Sequence, residues 1–221
     1  MLILALDGAL GRCSASVVAE QRLMATRQQV AERGQSALLA PLAEGALGDA
    51  GLKATDLDLV AVTVGPGSFT GIRAALALAH GLGLGIARPV VGVTVGEALA
   101  SALPALGARQ LWVALDSRRE RVFLERNGEA PAAFTLTALP EPQGPIAIAG
   151  DAAVEVAARL AAQGADVMLT DARWPSGRHV AVVAARRWAG ILPALAAQPI
   201  YVDPPSVRLP AGGLRPPPGS G

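Results

Sequence analysis

The sequence predicts a mixed α/β fold in which buried strands alternate with helices. Residues 2–6, LILAL, form a continuous apolar run that is typical of a strand buried on both faces. From Gln35 onward, leucine and alanine recur at helical spacing, and Gly51 closes that segment. Residues 57–87 then indicate a strand, a glycine-rich loop and a long helix. These three observations predict one α/β unit over residues 1–105.

The elements of this unit follow in the order β-β-β-α-β-α-β-α. After a turn that begins at Asp7, residues 13–20 and 22–29 predict two more strands, and hence an antiparallel meander. The helix after Gln35 leads to a strand, LDLVAVTV, and the helix behind the glycine-rich loop extends to about Ala87. A strand, PVVGVTV, and a short helix, GEALASAL, complete the unit.

A second, smaller α/β subdomain is predicted over residues 106–202, after a boundary at Pro104–Arg109. It begins with a strand, Asp116, a turn and a strand, which resembles the start of the chain in outline. Residues 146–164 indicate a strand, a glycine turn and a helix, and residues 176–192 indicate another helix.

The composition excludes several classes of protein. Hydrophobic residues make up 52% of the 221 residues, yet no uninterrupted apolar stretch is long enough for a membrane helix. No basic region precedes the first apolar run, so we expect a cytoplasmic protein without a signal peptide. The net charge of +1 comes without a basic block and demands no nucleic-acid surface. Residues 203–221 form a Pro/Gly-rich tail that cannot build a packed core.

Few side chains are suited to catalysis or metal binding. Cys13 is the single cysteine, which excludes an internal disulfide and favours a buried packing role. The two histidines, His80 and His179, lie on apolar helical segments, and no H-x-x-x-H pair occurs. The sequence therefore predicts no catalytic residue, no metal site and no cofactor.

The glycine-rich loop has two interpretations. The helix N-terminus behind it would attract an anion or nucleotide, because its first N–H groups lack helical partners. The spacing G-x-G-x-x-x-G, however, matches neither a dinucleotide fingerprint nor a P-loop. The alternative is a rigid strand-to-helix turn that Ser68 or Thr70 caps. The candidate anion or nucleotide loop consists of Asp7, Gly65, Gly67, Ser68, Thr70, Gly71 and Arg73.

The helix at residues 72–86 is apolar almost all round, with Arg73 and His80 as its only polar side chains. A surface helix normally has one apolar face, so this helix must be covered on nearly every side. Small residues four positions apart would let a second helix approach closely. We expect a partner surface, and the alternative is that the first two helices cover each other within one chain. The candidate interface consists of Leu38, Leu39, Leu42, Ala74, Ala77, Leu78, Gly81 and Gly85.

Several segments together resemble the TsaB (YeaZ) family. The longest is VGPGSFTGIRAALALAHGLGLGIARPVVGVTVGEALA, in which Gly65–Arg73 is the most specific part. LALDGAL, LLAPLAEGALGDAGL, ALDSRRERVF and PIYV fit the family in the same order. The likeness is strong over the first half and looser after Pro131. Two features depart from the family: RGQSALL lacks a His before its leucine pair, and YVDPPSVRLPAGG differs from the usual C-terminal pattern.

The resemblance implies an actin/Hsp70-like (ASKHA) ATPase fold with two related subdomains. It also implies a non-catalytic paralogue of TsaD, which supports the transfer of a threonylcarbamoyl group to tRNA adenosine. Such a protein pairs with the catalytic TsaD-like subunit through its first two helices, here residues 35–50 and 70–86, or with a second copy of itself. A TsaE-like ATPase joins that complex, and tRNA is reached only indirectly through it.

Two other functions stay open at this point. One is a nucleotide hydrolase or phosphotransferase that uses Asp7, the Gly65–Gly71 loop and Asp116. Against it, the residues after Asp116 are SRRER, whose bulky charged side chains would crowd a phosphate. The other is a homodimer with a scaffolding role of its own.

Overall fold

The computed structural model describes residues 1–31, 34–118 and 120–202. The predicted tail at 203–221 lies outside the described residues. None of the helices in the described part of the chain is long and apolar enough to cross a membrane.

The first half of the chain has the predicted element order. Its strands are β1 (Leu2–Asp7), β2 (Arg12–Ala19), β3 (Arg22–Val30), β4 (Leu59–Gly65) and β5 (Val90–Thr94). Its helices are α1 (Gln35–Asp49), α2 (Phe69–Gly85) and α3 (Val95–Ser101), with a short 3-10 turn at Ala54–Asp56.

The second half repeats this scheme with fewer helices. Its strands are β6 (Gln110–Asp116), β7 (Val122–Arg126), β8 (Ala132–Phe134), β9 (Ile146–Ala149) and β10 (Val167–Leu169). Its helices are α4 (Ala153–Ala162) and α5 (Gly177–Trp188). The sequence did not predict β8 and β10, because each has only three residues and no clear alternation.

The two halves build sheets of the same topology. The first sheet has the order β3-β2-β1-β4-β5, and the second has the order β10-β9-β6-β7-β8. In each sheet the first three strands form an antiparallel meander, and the last two run parallel to the first. This repetition confirms the predicted mixed α/β fold with two related halves. The predicted division at residue 105 stays a prediction.

Both faces of the first sheet are covered by helices. Leu4 and Leu6 of β1 point into the core beneath α1 and α2, whereas Ile3 and Ala5 point to the opposite face beneath α5. Successive side chains of a strand alternate between faces, so a strand covered on both sides is apolar at every position. This explains the LILAL run, of which residues 3–6 are at most 3% exposed.

Helix α5 packs on the first sheet, although the sequence placed it among residues 106–202 of the second subdomain. Val180, Ala181 and Ala184 are buried against β1, β2 and β4. Near the end of α5, the buried Arg187 donates to the Gly92 carbonyl at 2.7 Å and forms an ion pair with Glu97 of α3. The physical reason is that the second face of an apolar sheet would otherwise face water.

The second sheet is covered by α4 on one face and by the first half on the other. Trp112, Leu124 and Ile148 pack against Val156 and Leu160 of α4. The alternate residues of β6 and β7, including Leu115 and Phe123, join the core of the first half instead. The two sheets therefore share one apolar core, and Cys13 is buried in it, as predicted.

Candidate functional site

Helix α2 buries one stripe and leaves the opposite stripe exposed. The helix starts at a capped turn, in which the Ser68 Oγ accepts a hydrogen bond from the Gly71 N–H at 3.2 Å. The buried stripe consists of Gly71, Ile72, Ala75, Leu76, Ala79 and Gly83. The opposite stripe contains Ala77, Gly81 and Gly85, which are exposed.

The exposed stripe of α2 is apolar, and the space above its glycines is open. A Cβ atom added at Gly81 or Gly85 would have no described neighbour within 4 Å, whereas one at Gly83 would lie 2.5 Å from the Val90 side chain. Leu84 is 86% exposed. The small residues of this stripe therefore do not serve packing within the described chain.

Helix α1 packs beside α2 and widens this face. Leu38 and Leu42 of α1 are half-buried, as are Ala74 and Leu78 of α2. Leu39, which the sequence placed in the interface, is only 1% exposed and lies in the core instead. Neighbouring residues of a helix point about 100° apart, so Leu38 and Leu39 cannot share a face.

We define the α1/α2 surface by its exposed and half-buried small or apolar residues. Its members are Leu38, Leu42, Ala74, Ala77, Leu78, Gly81, Leu84 and Gly85. The two helices pack on each other while an outer face stays open, and the binding of a partner to this face stays a prediction.

The segment at residues 195–202 lies along one side of α2. The His80 Nε2 is 2.8 Å from the Ala197 carbonyl oxygen, and the Ile200 N–H donates to the Val64 carbonyl at 2.8 Å. The Arg73 Nε donates to the Tyr201 hydroxyl at 2.8 Å. Arg73 and His80 of α2 are therefore both engaged in holding this segment.

Arg73 also stacks on an aromatic ring. Its guanidinium carbon lies 3.8 Å from the centroid of the Phe69 ring, and the Phe69 and Tyr201 rings are 5.6 Å apart. The sequence assigned Arg73 to an anion loop, but the structure places it in this exposed aromatic cluster. Sequence reasoning missed Tyr201, because a contact across 128 positions leaves no local signal.

The glycine-rich loop packs tightly against the turn that follows β1. Gly65 has a φ of +112°, which favours glycine, and a Cβ at Gly67 would overlap the Ala9 carbonyl oxygen. That oxygen accepts a hydrogen bond from the Ser68 N–H at 2.6 Å. The loop N–H is thus used within the chain, which supports the interpretation as a rigid capped turn. Thr70 is exposed beside it.

Asp7 ends β1 as a buried carboxylate with one free oxygen. Its Oδ1 accepts hydrogen bonds from the Thr63 hydroxyl at 2.7 Å and the Ala9 N–H at 3.1 Å. Its Oδ2 is buried and has no hydrogen-bond partner among the described residues. Burial raises the pKa of Asp7 from its usual value near 3.8 to about 6, against the opposing effects of these bonds and of Arg12.

At the corresponding turn of the second half, Asp116 and Arg118 lie near Asp151, which follows β9. The Asp116 N–H donates to the Asp151 Oδ1 at 2.9 Å, and burial raises the pKa of Asp151. Arg118 forms an ion pair with Asp116 at 3.4 Å, and one of its nitrogens lies 3.0 Å from the position of a Cβ at Gly11. Arg118 therefore reaches across to the first turn. Within the described ranges, no three His, Cys, Asp or Glu side chains gather as a metal-binding group.

Comparison with known proteins adds three kinds of likeness. The family model described as "TsaD: tRNA N6-adenosine threonylcarbamoyltransferase" matches residues 18–163. The tRNA threonylcarbamoyladenosine biosynthesis protein TsaB of Escherichia coli K12 is 32% identical over 124 residues, which are 56% of this chain and 53% of that protein. This chain thus spans about half the length of the curated relatives that it matches.

Solved structures extend the likeness to nearly the whole chain. YeaZ from Pseudomonas aeruginosa superposes with a TM-score of 0.74 at 25% identity, over 90% of this chain and 99% of that chain. The activator of 2-hydroxyisocaproyl-CoA dehydratase from Clostridium difficile, solved with bound ADPNP, gives 0.51 at 10% identity, over 89% and 100%. The second likeness concerns the fold alone, which confirms the predicted actin/Hsp70-like fold.

The open stripe of α2 predicts opposite effects for two glycines of one helix. Gly81→Ala should raise the free energy of unfolding by up to about 1 kcal/mol, because alanine favours helix and meets open space. Gly83→Ala should lower it by about 1 to 3 kcal/mol, because its Cβ would overlap the Val90 side chain. Urea unfolding measures both, at a concentration where light scattering gives one copy. Equal losses would mean that Gly81 is covered within the chain.

Asp7 predicts a pH-dependent stability. Its raised pKa means that the folded state binds the proton more tightly than the unfolded state. The protonated Asp7 therefore stabilises the folded state below about pH 4, and this stabilisation is lost as the pH rises to about 6. The free energy of unfolding falls by about 3 kcal/mol over this window. Asp7→Asn should flatten urea-unfolding stability over this window, whereas Glu141→Gln, at an exposed acid, should leave the slope intact. An unchanged slope in Asp7→Asn would contradict the assignment.

Proposed function

This chain belongs to the TsaD family, in its TsaB (YeaZ) branch, and we propose that it is a non-catalytic subunit of tRNA threonylcarbamoyladenosine biosynthesis. It pairs with a catalytic TsaD-like threonylcarbamoyltransferase and activates it. The observation that carries this proposal is the α1/α2 surface, which is apolar, open and built around small residues.

The α1/α2 surface has the properties of a helix-docking site. Leu84 is exposed, and Leu38, Leu42 and Leu78 are half-buried. Removing these side chains from water would stabilise a complex that covers them. Gly81 and Gly85 lower the surface between these leucines, so a facing helix can approach closely. A patch of this kind on a protein surface is typical of an interaction site.

The family relation supports a partner of the same build. The TsaD family model covers residues 18–163 of this chain, a range that contains both α1 and α2. A TsaD-like partner would present an equivalent helix pair, and two such pairs can dock around a pseudo-two-fold axis. The same argument applies to a second copy of this chain, so a homodimer would compete for the α1/α2 surface.

The chemistry is assigned to the partner because of how this chain uses its own turns. The Ser68 N–H behind the glycine-rich loop is bonded to the Ala9 carbonyl, and so does not face a ligand. Arg118 extends from the second turn toward Gly11 of the first. In this proposal a TsaE-like ATPase joins the complex, tRNA is reached through it, and the assembly works in the cytoplasm.

One observation favours a second candidate function, a nucleotide-binding hydrolase or phosphotransferase. The Asp7 Oδ2 is buried without a described partner at the first turn, where a cation that accompanies a nucleotide would find a ligand. Calorimetry with ATP and Mg²⁺ separates the two functions. A non-catalytic subunit should show no binding at micromolar concentration, whereas micromolar binding that Asp7→Ala abolishes would support the second candidate.

The pairing is tested with substitutions on the open stripe of α2. Light scattering on a sizing column should give one copy of each chain when the protein is mixed with the TsaD-like protein of the same genome. Ala77→Glu and Gly81→Trp should each weaken this pairing about 100-fold or more. The glutamate would bury an unpaired carboxylate in the interface, and the tryptophan would block the close approach of the facing helix. Both positions face open space, so the monomer should stay folded by circular dichroism.

Ala161→Glu provides the matched control, since it adds the same charge at an exposed alanine of α4. It should pair like the unmodified chain. Full pairing by Ala77→Glu would place the interface elsewhere, and two separate species in the unmodified mixture would reject a stable pair. A homodimer that Ala77→Glu also disrupts would show that both assemblies use the α1/α2 surface.

A further inference from the structure

A second feature of the molecule is a cavity that shares no lining residue with the α1/α2 surface. It lies between the end of α3, the segment that follows β10, and the start of α5, and none of its lining residues belongs to α1 or α2. Its volume is about 590 Å³, which is within the range of small-molecule binding sites. Neither the partner interface nor the Asp7 turn includes this cavity.

Two arginines on the cavity wall have donors without acceptors. The Arg12 Nε and one terminal nitrogen of Arg173 are buried and lack a hydrogen-bond partner among the described residues. Arg12 is held in place, because its Nη2 donates to the Pro175 carbonyl at 2.9 Å and its guanidinium lies 5.4 Å from the Trp174 ring centroid. These two nitrogens are enclosed by protein atoms, so a ligand in the cavity would meet the other guanidinium nitrogens of Arg12 and Arg173, which line its wall.

The charge of the cavity favours an anion. Across the described residues, no acidic side chain lies within ion-pair distance of Arg12 or Arg173. Asp171 also lines the cavity, but it is exposed. Burial and the neighbouring Arg178 lower the pKa of His179, so this lining residue is neutral at pH 7. Asp7 does not line the cavity but interacts electrostatically with Arg12, and the two arginines remain cationic groups of the lining.

The remaining wall is largely apolar. Leu103, Leu106 and Met168 line it together with the partly exposed Trp174. A free inorganic ion would leave this apolar surface unused, whereas an organic ligand with a flat or apolar group would cover it. Guanidinium groups bind both phosphate and carboxylate oxygens.

We propose that this cavity binds a small organic anion, whose phosphate or carboxylate group bonds to Arg12 and Arg173 and whose apolar group contacts Leu103 and Trp174. The site is independent of the partner surface. Its ligand class is set by two cationic side chains, of which Arg12 is held by the Pro175 carbonyl, and by an adjoining apolar wall.

Calorimetry on the full chain with four probes tests this site. Phenyl phosphate and benzoate carry the two anionic groups on the same ring, inorganic phosphate lacks the ring, and benzylamine reverses the charge. We expect phenyl phosphate or benzoate to bind with a Kd below about 1 mM. The one that binds with the lower Kd shows whether the site takes a phosphate or a carboxylate group. Inorganic phosphate should bind more weakly, and benzylamine should not bind. Equal binding of benzylamine, or no binding of either ring anion, would reject the proposal.

Arginine variants locate the binding. Arg173→Met and Arg12→Met should each raise the Kd of the bound anion about tenfold, because each removes a charge-assisted hydrogen bond. Arg178→Met, at an exposed arginine beside the cavity, should change the Kd less than about twofold. Circular dichroism shows whether each variant is folded. If Arg12→Met does not fold, the test rests on Arg173→Met alone. Unchanged affinity in Arg173→Met would overturn the assignment.

Discussion

The first sheet is apolar on both faces, and the rest of the architecture depends on covering it. Leu4 and Leu6 need α1 and α2 on one side, while Ile3 and Ala5 need α5 on the other. Because α5 comes from the second half of the chain, burying the first sheet also joins the two halves. The buried Arg187 of α5 strengthens this junction through its bond to the Gly92 carbonyl and its ion pair with Glu97. A charge buried with its partners costs much to separate, so α5 is fixed in one position.

The need to cover the first sheet also explains why one face of α2 stays exposed. A helix that packs on a sheet needs one apolar stripe, and in α2 this stripe is Ile72, Ala75, Leu76 and Ala79. The 195–202 segment covers part of one side through His80 and Arg73. Nothing in the described chain covers Gly81 and Gly85. Helical glycines lower stability, so two of them on an open face are more consistent with docking than with folding.

Local periodicity made much of the fold predictable from the sequence. The order of the first eight elements is confirmed, because their strands and helices carry distinct repeats of apolar residues. What could not be predicted are contacts between distant positions, such as α5 on the first sheet or Arg73 with Tyr201. Leu38 and Leu39 show the limit within one helix: the pattern placed both at an interface, but only packing decides which one enters the core. Arg12 and Arg173 likewise line one cavity although 161 positions separate them in the sequence.

The turn regions show why a shared fold does not settle a shared activity. This chain has the architecture of a dehydratase activator solved with a bound nucleotide analogue, and it has an acid at the end of β1 and of β6. The surroundings of these acids differ in kind, since Asp7 is buried with a raised pKa and Asp116 is paired with Arg118. A carboxyl group with a pKa of about 6 is partly protonated near pH 6, and its protonated form is a weak ligand for the metal ion that accompanies a nucleotide. The likeness to the activator thus concerns the architecture, whereas the chemistry of these turns depends on the residues around Asp7 and Asp116, because function resides in sites and not in folds.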